Sequence, residues 1–79
     1  MRLVKSEHWF RRMESRKYLN DKIVKKVLRN PGCVTPGRGN SIRYGARIGG
    51  YYYTVVVSRI SRKDFYLITG FRVVSESIG

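Results

Sequence analysis

The sequence predicts an α+β domain, two helices followed by four strands, because its hydrophobic periodicity changes once along the chain, from helical spacing to strand alternation. No linker or repeat separates the two regimes, and 79 residues hold one core but not two, so residues 1–79 read as a single domain. With 42% hydrophobic residues and 13% aromatics the chain is richer in apolar side chains than a disordered polyelectrolyte, which places its charge on a folded body.

The first helix is expected to start after Ser6 as N-cap and to run to about residue 17, with Trp9, Phe10 and Met13 on one face. Asn20 caps a second helix over residues 21–29. There Ile23, Val24, Val27 and Leu28 form an apolar stripe, Lys22, Lys25, Lys26 and Arg29 take the opposite side, and Asn30-Pro31-Gly32 stops the helix. Strands are expected at 33–35, 41–48, 51–59 and 65–74, and Gly49-Gly50 marks a tight hairpin. Residues 41–48 alternate, with Ile42, Tyr44, Ala46 and Ile48 facing the core and Arg43, Gly45 and Arg47 giving the other face cations. The run Tyr51-Tyr52-Tyr53-Thr54-Val55-Val56-Val57 is apolar on both parities, which predicts the middle strand of the sheet, covered on both faces.

Seventeen Lys and Arg stand against five acids, Glu7, Glu14, Asp21, Asp64 and Glu76, for a formal net charge of +12. Such a surplus repels itself unless a polyanion is near. A merely solubilising surface needs a net charge of only about 2–8 and mixes both signs, so nucleic acid is the expected partner. No apolar run approaches the ~18 residues of a membrane span, and neither end carries a lipidation signal, so no membrane is expected. Met1-Arg2-Leu3-Val4-Lys5 lacks the apolar stretch of about 7–15 residues of a secretory signal, which points to the cytoplasm; a toxin domain cut from a longer exported protein has the same appearance. Cys33 is the single cysteine, so no internal disulfide and no Cys/His zinc set is expected, and its expected role is that of a small buried strand residue. No cofactor is expected.

His8, Arg12 and Arg16 recur at intervals of four in the first helical stretch and so lie along one stripe, away from Trp9, Phe10 and Met13. An imidazole has an unperturbed pKa of about 6.5 and both takes and gives protons at physiological pH. Cleavage of RNA by its own 2′-hydroxyl asks for a base, an acid on the leaving oxygen and positive charge at the phosphorus. His8 with Arg12, Arg16 and a strand arginine supplies those functions. The rival chemistry needs carboxylates gathered around magnesium, and the acids here are few and dispersed.

The stretch Ser6-Glu7-His8, Arg12-Met13 and Arg16, followed by Ile23-Val24 and Val27-Leu28-Arg29-Asn30-Pro31, resembles the helical start of small barnase/EndoU/colicin/RelE-like (BECR) ribonuclease domains. Arg43-Tyr44, residues 53–57 and Leu67-Ile68-Thr69-Gly70-Phe71 resemble that group's basic second strand, central strand and closing strand. The likeness spans residues 6–71. It implies two N-terminal helices packed on a twisted four-stranded antiparallel sheet, with RNA lying across a basic concave face. Carried over by position, it implies a catalytic set of His8 as general acid or base, Arg12, Arg16 and Arg43 holding the scissile phosphate, and Thr69 orienting it by a hydrogen bond. The loop Pro36-Gly37-Arg38-Gly39-Asn40 has no counterpart in the group, and residues 60–64 form an unusually basic insertion.

Lys5, Arg11, Lys17, Arg38, Tyr44, Arg47, Arg59, Arg62, Lys63 and Arg72 are the further candidates for contact with nucleic acid. Each candidate has a structural alternative. Thr69 shares parity with Leu67 and Phe71, which points it at the core. Arg16 and Lys17 suit a helix C-terminus, at about 0.3–1 kcal/mol each. Arg43 and Arg47 suit a solvated sheet. Tyr44, Tyr51, Tyr52, Tyr53 and Tyr66 either stack on bases or fill the core, and Tyr44 stands out because it follows Arg43. Two functions remain: a metal-independent, toxin-like endoribonuclease acting on messenger, tRNA or ribosome-bound RNA and restrained by an acidic antitoxin or immunity protein, or a non-catalytic nucleic-acid-binding module, viral or ribosome-associated.

Overall fold

Helices and strands follow in the order β1 (Arg2–Lys5), α1 (Glu7–Met13), α2 (Asp21–Arg29), β2 (Cys33–Pro36), β3 (Ile42–Ile48), β4 (Tyr51–Arg59) and β5 (Asp64–Val74) in the computed structural model, which describes residues 1–74. The α+β class stands. The sheet, however, has five strands in the order β1-β5-β4-β3-β2 and is mixed, whereas four antiparallel strands were expected. The additional strand is β1, which pairs in parallel with β5, Leu3 beside Phe65 and Lys5 beside Leu67. Four residues with cations at both ends carry no strand signature of their own; a partner at the other end of the chain makes this segment a strand.

α2 spans the expected residues, and the Asn20 side chain accepts the Ile23 N–H at 2.9 Å as its cap. Its buried Val24, Val27 and Leu28 sit against β3 and β4, each contributing about 1.5–3 kcal/mol of burial. α1 is shorter than expected, ending at Met13 instead of about residue 17. The chain tightens there: the Ser15 N–H and hydroxyl both donate to the Arg12 carbonyl, and the Arg16 N–H donates to that of Met13. Ser6 secures the other end. Its side chain accepts the Trp9 N–H at 3.0 Å, its hydroxyl donates to the Ile68 carbonyl at 3.3 Å, and its own N–H donates to that of Leu67.

Both helices cover one face of the sheet. Tyr44 and Ala46 of β3, Tyr53, Val55 and Val57 of β4, and Phe65 and Leu67 of β5 point to that face and form the core with Trp9, Leu19 and the α2 stripe. β4 is the middle strand, but it is not enclosed on both sides as expected: Tyr52, Thr54, Val56 and Ser58, on the alternate parity, are only partly buried. At the β3–β4 hairpin only Gly49 has a positive φ, +62°, the pattern of a turn with glycine at its first central position.

A bulge in β5 matters most for the site. Val57 pairs with Leu67 and Val56 with Thr69, leaving Ile68 as the extra residue. The parity of β5 inverts there, so Leu67 enters the core while Thr69 and Phe71 face the open side and Gly70 takes the core side. A Cβ at Gly70 would lie 2.8 Å from Leu19 Cδ1, 3.1 Å from the Thr54 carbonyl and 3.3 Å from Trp9 Cζ3. Gly70→Ala is therefore expected to lower stability by about 1–3 kcal/mol, read as a fall in the urea midpoint at unchanged m-value. No helix among the described residues is long and apolar enough to cross a membrane.

Candidate nucleic-acid interface

The α1 segment is tied to β5 on either side of Thr69. Ser6 holds the Ile68 carbonyl at one end, and at the other an Arg16 guanidinium N–H donates to the Gly70 carbonyl at 2.8 Å. Between these ties lie His8 and Arg12, both exposed and one helical turn apart, and neither side chain makes a hydrogen bond or ion pair with other described residues. The exposed imidazole agrees with the place of His8 on a helical stripe away from Trp9. Arg16 itself lies beyond the helix, so the stripe of three joins two helical residues to one in the following turn.

The strand members of the set lie on the other side of the sheet. Arg43 pairs with Val56, and Val56 with Thr69, so the three share one row on the face opposite α1 and α2. Two strand spacings, roughly 10 Å, separate Arg43 from Thr69. The core position that parity gave Thr69 is corrected by the bulge. The fold thus brings Arg16 to β5 beside Thr69 and sets Arg43 in the row of Thr69, while His8 and Arg12 stay on the helical layer.

Several expected contacts are occupied elsewhere. Tyr44 is 8% exposed and meets Phe65 edge-on at 5.8 Å, which leaves no ring face for a base. The Arg72 guanidinium lies between the rings of Tyr18 and Tyr51, at 4.1 and 3.8 Å, and donates to the Tyr53 hydroxyl. Both its faces are used inside the protein. Arg59 donates to the Ser61 and Arg62 carbonyls and sits 5.7 Å from the Phe65 ring, which shapes the β4–β5 turn. Lys5 pairs with Asp21 at 2.9 Å and Arg11 with Glu7 at 2.8 Å.

Those are the two ion pairs among the described residues, and both acids are consumed by them. Lys17, Arg38, Arg43, Arg47, Arg62 and Lys63 remain exposed with no carboxylate partner among the described residues. Arg38 stands in a turn built by Gly39 at φ +60° and by Ser41, whose N–H and hydroxyl both donate to the Arg38 carbonyl. Lys22, Lys25, Lys26 and Arg29 line a depression of about 330 Å³ on α2. They were legible as the polar side of the helix but not counted as a binding surface.

The open face also holds a shallow pocket of about 190 Å³, walled by Cys33, Arg43, Gly45, Tyr52, Thr54 and Phe71. Cys33 is exposed here and not buried as expected, because β2 is an edge strand all of whose residues are exposed. Burial first, and then the Cys33 thiol bonded beside it, raise the Tyr52 phenol above its ordinary pKa. In the sequence Tyr52 stands only as one of five tyrosines that either stack on bases or fill the core, and Phe71 carries no site expectation of its own. The usable signal was cross-strand, since Gly45 pairs with Thr54 and Thr54 with Phe71. Compared with family models, with curated proteins and with solved structures, the chain matches none.

Proposed function

We propose that this chain is an RNA-directed domain whose activity is metal-independent endoribonucleolytic cleavage, with His8 as the proton-transferring group. One observation carries the reading: an exposed, unpartnered imidazole stands one turn from an unpartnered guanidinium, on a body of net charge +12 whose cations are almost all uncompensated among the described residues. The packing of two helices on one face of a sheet supports the resemblance to BECR domains.

In the reaction, the ribose 2′-oxygen forms a bond to the adjacent phosphorus as the bond from phosphorus to the 5′-oxygen breaks. The products are a 2′,3′-cyclic phosphate and a 5′-hydroxyl. One proton leaves the 2′-hydroxyl and one arrives at the 5′-oxygen; His8 takes or gives one of them and water the other. Arg12 and Arg16 offer charge to the crowded phosphate. An acidic inhibitor protein, antitoxin or immunity protein, is the partner that the uncompensated cations suit, and the cytoplasm is where such an RNA substrate is met.

The second reading, a non-catalytic binding module, is favoured by the position of Arg43 and Thr69 on the face opposite the helices. Labelled RNA incubated with the protein in EDTA separates the two: cleavage with cyclic-phosphate ends supports the enzyme, and intact bound RNA supports the module. Either way binding is expected to weaken steeply with salt. Neutralising about five phosphates of a single strand gives a log–log slope near −3.5, and a slope near zero in a salt titration removes RNA as the partner.

A further inference from the structure

We infer that the open-face pocket between Tyr52 and Phe71 is a subsite for one unpaired nucleobase of single-stranded RNA, with Arg43 at its phosphate. The inference rests on the RNA reading above and adds where the strand is held.

Gly45 creates the platform. A Cβ there would lie 2.8 Å from Tyr52 Cζ and 2.9 Å from Cε1. The Tyr52 ring therefore lies along the sheet against the bare backbone of Gly45, instead of standing up from it, and its hydroxyl is held beside Cys33. Phe71, 37% exposed, supplies the second ring from β5, across Thr54 from Gly45.

The pocket's volume of about 190 Å³ falls below the roughly 300–1,000 Å³ of sites that enclose a whole small ligand, which suits one planar ring with its backbone left outside. Thr54 offers a hydroxyl at the pocket wall and Arg43 a guanidinium. No carboxylate among the described residues lines the pocket, and Arg47 lies on the same face. An aromatic floor with cations at the rim fits a base and its phosphate, because every base has a face to stack and every phosphate a charge to neutralise. An acidic protein segment satisfies the cations and leaves the rings unused.

The test uses the full chain and two eight-residue single strands of 2′-O-methyl RNA, which cannot cleave themselves. One strand carries a single 2-aminopurine and the other is abasic throughout. The base-bearing strand is expected to bind with quenching of its 2-aminopurine. Phe71→Ala is expected to remove the quenching and weaken this binding about 5- to 150-fold, the range for one lost stacked base, while binding of the abasic strand is unchanged. Arg43→Gln is expected to reduce the salt slope by about 0.7 for both strands. Phe71→Leu keeps the apolar bulk and is expected to behave as Phe71→Ala, with unaltered Trp9 fluorescence reporting an intact fold. Equal losses for both strands, or no loss for either, overturn the subsite and leave the RNA reading standing. Failure of the unmodified protein to bind either strand overturns both.

Discussion

Replacing His8 by alanine is expected to slow RNA cleavage by about 10²- to 10⁴-fold, the contribution of a positioned general acid or base, while RNA affinity and its salt dependence stay as they are. The separation is sharp because His8 has no structural duty to lose. It is exposed, its side chain makes no hydrogen bond or ion pair with other described residues, and it stands outside the buried cluster. Its removal is expected to change stability by no more than about 0.5 kcal/mol. Single-turnover cleavage of end-labelled RNA in EDTA, with product ends resolved, reads the effect. Full-rate cleavage by the His8→Ala protein moves the chemistry to another group, and the Arg43 and Thr69 face is then the next to test. Abolition of both cutting and binding makes His8 a binding residue instead.

The parts of this fold that sequence made legible are those specified by neighbours within a few residues. α2 was readable to its ends because an apolar stripe fills it and an Asn cap and a Pro-Gly stop flank it closely, and β3 because its alternation is uninterrupted. What escaped depends on distant partners. β1 exists through β5, and α1 stops early where Arg16 leaves the helical path to reach the Gly70 carbonyl. The bulge at Ile68 shows the difficulty most clearly. One unpaired residue reverses every side chain after it, so Thr69 and Phe71 changed faces, and Arg72 was carried into the gap between Tyr18 and Tyr51.

The same distinction divides the candidate site. Exposure of His8 followed from its place on a helical wheel, a local property. The separation of Arg43 and Thr69 from the helical layer did not, because it requires knowing which sheet face the helices cover. Tyr52 was one tyrosine among several until the β3–β4 register set it over Gly45.

The largest expected loss of stability is that of Trp9→Ala, about 3–5 kcal/mol. Trp9 is 2% exposed and is the one buried side chain of α1. A helix of seven residues does not persist by itself, since isolated helices shorter than ~12–15 residues are marginal in water. α1 is therefore held by its indole, by the Ser6 cap and by the flanking Arg16 bond to β5. At roughly 0.05–0.15 kcal/mol of stability per residue, loss of the indole removes much of what a domain of this size has, and it loosens the element that carries His8 and Arg12. Phe10→Ala, in the same helix but at a residue 60% exposed, is the matched control and is expected to change stability by about 0.5 kcal/mol or less. Urea titrations of both variants compare the two, and equal midpoints show that α1 is not anchored by its indole. The contact with Gly70 sharpens the test: Gly70→Ala should cost less in the Trp9→Ala protein than in the parent, because one of the three atoms crowding the new methyl group is then gone.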